Sequence, residues 1–309
     1  MTGVVGKVII PRKSDFDSFI DLATDSLGWV KHYSSKSKSL PITAYTKIVE
    51  GNVVRAAKIE AVFCGVSAFN VYESLHDPEF RKTWDDCMKE GSRICYVAPN
   101  SEIGYYRLKS PFGLKDRDFV NQRSWYADES VYIIMNHSVK MPPVEGVQRG
   151  ISYVTGYLIK PLTHDSCDFT YISHSDPRGK LYFKNSYLKK FPSKGKVPAW
   201  VVNASVKTVG PIIVKRLYEA ARNYAAWKAE HDPDLKPWSN FHQLQESPPL
   251  DPADVGMLNA EAVGKTNDED DDGEEEVPDE SSLMLSNSDS GVSLSSVDHS
   301  SPVKGLDVK

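Results

Sequence analysis

The sequence predicts an α+β fold in which a series of antiparallel strands is followed by one long helix and then by a polar, acidic segment. Three observations predict it. Eight segments between residues 42 and 175 alternate in polarity or concentrate β-branched and aromatic residues, with turn-forming stretches between them. Residues 210–233 carry the clearest helical period in the chain. Every Trp, Tyr and Phe lies in residues 1–250, and residues 251–309 hold none.

Taken in order, "SDFDSFIDLATD" spaces Phe16, Phe19, Ile20 and Ala23 as one face of a helix. The strand segments are "ITAYTKIV", "RAAKIEAVF", "SRICYVA", "EIGYYRLK", "DFVNQRSWYA", "VYIIMNHSVK", "ISYVTGYLIK" and "CDFTYISHS". Their short connections predict an antiparallel meander. Two helical pieces, "SAFNVYESL" and "PEFRKTWDDCM", interrupt the early strands. In the second, Asp77 suits an N-cap, Pro78 the first turn and Glu79 the helix dipole. Arg81 and Asp85 then lie one turn apart and can touch. They are either an exposed ion pair contributing about 0.3–0.5 kcal/mol or an arginine held in place for a ligand. The long helix places Pro211 in its first turn and ends at Asp232-Pro233. Its apolar stripe is Ile213, Leu217, Ala220, Tyr224 and Trp227. Helices packed on one sheet are the expected layers, and no internal repeat is present.

The charge is unevenly distributed. Residues 251–309 contain 16 Asp and Glu against three Lys, a net charge of −13, leaving 26 acidic and 34 basic residues before them, about +8. That tail has too little apolar surface to offset ordering and is expected to be disordered. Cys64, Cys87, Cys95 and Cys167 show neither CxxC nor metal-ligand spacing and read as reduced, mostly buried thiols. No secretory signal, membrane-spanning run, myristoylation site or prenylation signal is found, so membrane contact is expected to be peripheral and the protein cytoplasmic. Nucleotide-binding glycine loops, GxSxG and HExxH are absent, and His76, His164 and His231 sit in polar turns beside Asp. The reading is therefore not an enzyme, with no cofactor and no metal. The basic excess comes without any nucleic-acid-binding module, so nucleic acid is not an expected partner.

Several segments in order resemble the START lipid-transfer family, in particular its phosphatidylcholine-transfer-protein-like branch. They are "FRKTWD" (80–85), "KSPFGLKDRDFV" (109–120), "YVTGYLIKP" (153–161), "DPRG" (176–179), "VPAWVVNASV" (197–206) and the final helix, together spanning roughly residues 14–235. The resemblance implies a helix-grip fold, a curved antiparallel sheet closed by the C-terminal helix around a lipid tunnel. It implies a lipid-binding domain over residues 1–245 and a disordered Ser-rich tail over 246–309. Carried over position by position, Arg81 matches the arginine that holds the lipid phosphate and Asp85 the acid that orients it. A guanidinium offers a planar fork suited to a phosphodiester. Tyr106, Phe119 and Tyr157 match the aromatic box around choline, whose quaternary ammonium is best met by ring faces. From spacing alone the same three are ordinary strand-core aromatics. Phosphatidylcholine-specific members have Trp and Tyr at the first two of these positions, so the cage here is looser and leaves room for ethanolamine. Arg117 and Asp118 read as structural. Relatives also lack most of "KLYFKNSYLKKFPSKGK" (180–196), which carries six lysines among aromatics. It suits an anionic membrane surface through Lys184, Lys189 and Lys190, or is a solvated loop.

The expected function is to bind one glycerophospholipid, phosphatidylcholine and/or phosphatidylethanolamine, and to carry it between membranes. Two acyl chains of about thirty methylenes, at ~0.8 kcal/mol each, would cost roughly 25 kcal/mol in water, so a carrier has to enclose them. The rival reading is a phospholipid-sensing adaptor that signals through its tail. Thr266, Ser286 and Ser295 each have an acidic residue three positions on, the pattern of an acidophilic Ser/Thr kinase. Each phosphate would add about −1.5 to −2 charges.

Overall fold

All eight strand segments form strands, and hydrogen bonding joins them into a single sheet. The structure, a computed structural model, describes residues 4–109, 116–178, 180–183, 199–244 and 274–277; of residues 180–183, 199–205, 244 and 274–277 it describes the backbone alone. Lys184, Lys189, Lys190, Thr266, Ser286 and Ser295 lie outside the described residues.

The elements in chain order are α1 (Lys13–Thr24), β1 (Val30–Ser35), β2 (Ile42–Lys47), β3 (Ala56–Cys64), α2 (Ala68–His76) and α3 (Pro78–Arg81). Then come β4 (Met88–Ala98), β5 (Ser101–Leu108), β6 (Arg117–Ala127), β7 (Tyr132–Ser138), β8 (Gln148–Arg149), β9 (Ile151–Thr163) and β10 (Ser166–Asp176). Last are β11 (Lys180–Phe183), α4 (Ala199–Glu230), a 3-10 turn (Phe241–Leu244) and β12 (Glu274–Val277).

The strand order is β1-β2-β3-β10-β9-β7-β6-β5-β4, with β8 paired to β6 in parallel. The path is antiparallel throughout but is not the simple meander expected. After β3 the chain leaves through α2 and α3, restarts at the far edge with β4, and returns so that β10 pairs with β3. The sheet stays open, with β1 and β4 as its edges. Strand β1 escaped the sequence reading because "VKHYSS" is polar and buries no residue fully, as edge strands often do not.

Two apolar layers follow from the alternation of the strands. On one face Ile59, Ala61, Phe63, Trp125, Ile134 and Phe169 meet α2 and α4. On the other, Ile133, Met135, Val154, Leu158 and Ile172 meet Phe16, Phe19 and Ala23 of α1. Gly156 of the "YVTGYLIKP" motif makes this second contact possible. A Cβ there would lie 2.7 Å from the Phe19 ring and 3.0 Å from the Met135 Cα, and closer still to the Ile134 carbonyl oxygen.

Three expectations change. Helix α4 begins at Ala199, so Pro211 lies inside it rather than in its first turn. Its buried positions are Val206, Pro211, Val214, Leu217, Tyr218, Ala221, Tyr224 and Lys228, while Ile213 is 38 % exposed and falls outside the stripe. Of the four free cysteines only Cys167 is buried, where burial pushes its thiol up to about 12. Residues 274–277 form β12, parallel to β11 with Lys180 opposite Glu274.

Candidate functional site

The site begins with helix caps. The Asp77 side chain accepts from the amides of Glu79 and Phe80, both at 3.1 Å, and Pro78 occupies the first helical position. Helix α3 is only four residues long, but the turn continues far enough for the Asp85 amide to donate to the Arg81 carbonyl at 3.0 Å. This sets the two side chains together. Arg81 Nε donates to Asp85 Oδ2 at 2.9 Å, and the side chains retain 24 % and 10 % of their surface.

Three further groups complete the arrangement. The Tyr106 hydroxyl, from β5, donates to Asp85 Oδ2 at 2.8 Å and accepts a longer bond from Arg81 Nη2 at 3.4 Å. The Arg81 guanidinium lies 4.9 Å from the centre of the Tyr106 ring and 5.8 Å from that of Trp84. Tyr157, from β9, is stacked on Tyr171 of β10 at 5.1 Å and shares the electrostatic environment of Arg81. Burial opposes the charge on Arg81, yet Tyr106, Tyr157 and Asp85 more than offset that and raise it above its ordinary value. Burial is also the main reason the Tyr106 and Tyr157 hydroxyls are pushed up, so both stay protonated donors.

Four of the expected site residues are therefore in one place: Arg81, Asp85, Tyr106 and Tyr157. Phe119 is the register partner of Tyr106 across β5 and β6. Its ring packs over Gly150, where an added Cβ would sit 2.5 Å from it. Arg117 and Asp118 serve the scaffold: Arg117 donates to the Pro177 and Arg178 carbonyls, and Asp118, fully buried, takes a forked pair from Arg149 at 2.9 Å.

Sequence reasoning missed Arg123 of β6. Its Nη2 donates to the Leu75 carbonyl at 2.8 Å and its Nη1 lies 3.5 Å from Glu102 Oε1. Burial first, and then the charge of Arg81, pull its guanidinium down, with Glu102 opposing. Period-two counting from Phe119 through residue 121 to Arg123 would have found it on the inward face. Arg81, Arg123, Tyr157 and Tyr171 are all partly buried, the two arginine side chains keeping 24 % and 19 % of their surface. A cleft of about 580 Å³ beside edge strand β4, bordered by Lys82 and Lys89, reaches Asp85 from outside. A guanidinium fork, ring faces and hydroxyl donors grouped in this way can hold one anionic group and a neighbouring cation.

A START-domain family model matches residues 17–200. The chain belongs to the START family. It is 35% identical over 239 residues to START domain-containing protein 10 of mouse and of human, covering 76% of this chain and 76% of each. It is 26% identical over 192 residues to the mouse phosphatidylcholine transfer protein, covering 59% of this chain and 80% of that protein. The crystal structure of human STARD10 superposes with a TM-score of 0.67 at 34% identity, over 79% of this chain and 93% of that one. The START fold is thus the fold of this chain, with its large antiparallel sheet and long C-terminal helix. Arg81, Asp85, Tyr106, Phe119, Arg123 and Tyr157 all lie within the matched segment.

Proposed function

We propose that this START protein binds one glycerophospholipid, phosphatidylcholine and/or phosphatidylethanolamine, in the space between its sheet and α4 and transfers it between membranes. The observation that carries this reading is the partly buried Arg81–Asp85–Tyr106 cluster, where the turn after α3 meets β5. Arg81 holds the phosphate, Asp85 orients the guanidinium, and Tyr106, Phe119 and Tyr157 surround the headgroup amine. Kinship with a phosphatidylcholine transfer protein supports the ligand class. The chain is a carrier rather than an enzyme. It works in the cytoplasm and meets anionic membranes transiently, through Lys184, Lys189 and Lys190.

The tail regulates that contact. Its −13 charge competes intramolecularly with the membrane for the basic body, and the pairing of β12 with β11 is consistent with such a fold-back. Phosphorylation at Thr266, Ser286 or Ser295 by an acidophilic kinase strengthens the competition. Deleting residues 251–309 speeds transfer to anionic vesicles, more at low salt than at high, and an unchanged rate at low salt removes the tail from the account.

Native mass spectrometry of the purified full chain tests the main reading, with a mass increment of a single phospholipid as the expected result. Transfer of labelled phosphatidylcholine between vesicles separates carrier from sensor. Tight binding without transfer would favour an adaptor that signals through its tail.

A further inference from the structure

Helix α4 buries Val206, Val214 and Leu217 in the core, and a groove runs along its flank. This groove of about 710 Å³ lies between the helix and the β1–β2 hairpin. Its volume is in the range that takes a small ligand or a few side chains. Tyr33, Leu40 and Ile42 line it from the hairpin, and Pro211, Ile212 and Tyr218 from the helix. Ile212 is 51 % exposed. The rim is basic. Lys207 and Lys215 are among its lining residues, and Lys36 and Lys38 alternate along the chain with Ser35, Ser37 and Ser39 of its wall. All four lysines are exposed, and none has a carboxylate partner among the described residues. Glu219 is the one acid lining the groove, and it lies 3.6 Å from Arg222.

Apolar walls under a ring of unpaired cations suit a segment that is apolar at its centre and acidic on both sides. The chain carries one. Leu283, Met284 and Leu285 are the only three consecutive large apolar residues in 251–309. Asp279 and Glu280 precede them, Asp289 follows, and no Lys or Arg stands between Lys265 and Lys304. The other stretch that adjoins α4 in sequence, 184–198, holds five lysines and no acid, which is the wrong sign for this rim. Reach is no obstacle. Residues 245–282 make a link of 38 residues. A flexible link of that length spans roughly 30–40 Å, about the width of a small domain. The pairing of β12 with β11 also returns the chain to the element that precedes α4.

We propose that residues 283–285 dock in the groove between α4 and the β1–β2 hairpin, with Asp279, Glu280 and Asp289 set against Lys36, Lys38, Lys207 and Lys215. The effect of this docking on transfer rests on the function proposed above; the docking itself does not. It gives the tail's competition with the membrane one seat, because a single segment covers Ile212 and neutralises four lysines together. The contact is intramolecular, so an effective concentration in the millimolar range holds a segment that would bind only weakly as a separate peptide.

A photoreactive benzophenone replacing Met284 in the full chain, irradiated without vesicles, tests the seat. Mass spectrometry should place most cross-links on residues 33–42 and 207–219 of the same chain. Cross-links scattered over the body, or joining two chains in a mixture of isotopically light and heavy protein, would overturn the proposal. Charge reversal supplies a second reading. Lys207→Glu with Lys215→Glu, both at exposed positions, should cut the cross-link yield at least fivefold. Adding Asp279→Lys and Glu280→Lys should restore at least half of it. An unchanged yield in the first variant, or no recovery in the second, would also overturn the docking. Vesicles of phosphatidylserine and phosphatidylcholine offer the groove a different occupant. If they protect residues 207–219 from amide exchange equally with and without Leu283→Asp and Leu285→Asp, the surface belongs to the membrane and the tail does not sit there. Absence of lipid transfer by the unmodified chain would instead remove the phospholipid reading and leave the cross-linking result standing.

Discussion

Replacing Arg81 by Ala separates a ligand hook from a structural ion pair. The substitution leaves Asp85, 10 % exposed, with only the Tyr106 hydroxyl as partner among the described residues. Stranding a buried carboxylate costs about 3–5 kcal/mol. Here the remaining hydrogen bond and the cleft that reaches Asp85 bring this down to roughly 1–3 kcal/mol. The lost hydrogen bonds to phosphate are worth about 1.5–3 kcal/mol, or roughly 10–100-fold in lipid affinity. The informative variant is Arg81→Ala combined with Asp85→Ala. It removes the stranded carboxylate, so most of the stability returns, whereas the phosphate contact stays lost. Denaturant unfolding gives the first quantity and vesicle-to-vesicle transfer of labelled phosphatidylcholine the second. Arg81→Lys should recover transfer only in part, because a point charge replaces a fork. Should the double variant regain transfer along with stability, Arg81 serves only to neutralise Asp85, and the hook is refuted.

Three other outcomes are expected. Tyr106→Trp with Phe119→Tyr should shift a competition between choline and ethanolamine lipids toward choline, and an unchanged ratio would mean these rings only pack the interior. Gly156→Ala forces a methyl against the Ile134 carbonyl and the Phe19 ring, costing ~3 kcal/mol and lowering Tm by roughly 10 °C; a Tm within a degree would contradict the packing described. Burial pushes His76, His137 and His174 below their ordinary value. The unfolded chain therefore binds more protons below about pH 6.5, and stability falls with pH, by up to ~1.4 kcal/mol per pH unit for each histidine. His76→Phe should flatten the slope of stability between pH 7 and 5.

The parts legible in the sequence are those where local chemistry and tertiary role coincide. Asp77 and Pro78 announce a helix start and act as one, and the aromatic, β-branched segments become strands because each has one face to bury. Arg81 and Asp85 needed only the helical repeat to be paired; that the pair faces inward came from the family resemblance, not from spacing. What was missed depends on partners distant in sequence. Pairing of β3 with β10 is not written in either strand. The packing of residues 235–243 against α2 was unreadable because Glu73 on a helix looks like a solvated charge until Lys236 and Trp238 arrive from more than 160 positions away. Arg123 was overlooked for the same reason, since its partners are the Leu75 carbonyl and Glu102. The start of α4 was set too late because Pro211 suits a first turn, and the longer helix accepts the lost bond in exchange for burying Val206.

The charges in the interior argue for the kind of headgroup it accepts. Arg81 and Arg123 supply two fixed positive charges there; Asp85 pairs with Arg81, and Glu102 is shared between Arg123 at 3.5 Å and the more exposed Arg93 at 2.7 Å. Each of the two inner arginines thus has a carboxylate partner, as a low-dielectric environment requires. Arg81 Nε is committed to Asp85, whereas the 3.4 Å bond from Nη2 to Tyr106 is long, so the Nη edge is the one a phosphate can take. A phosphodiester arriving alone would add one unpaired negative charge beside Asp85. A zwitterionic lipid brings its own cation within the same headgroup and leaves the balance unchanged. Phosphatidylcholine and phosphatidylethanolamine should therefore be bound in preference to phosphatidylserine or phosphatidic acid of the same chain length, by tenfold or more in competition. Neutralising one interior acid with Glu102→Gln should narrow that gap by favouring the anionic lipids. If anionic lipids load equally well into the unmodified chain, the two arginines are not balanced in this way and the count of interior charges is wrong.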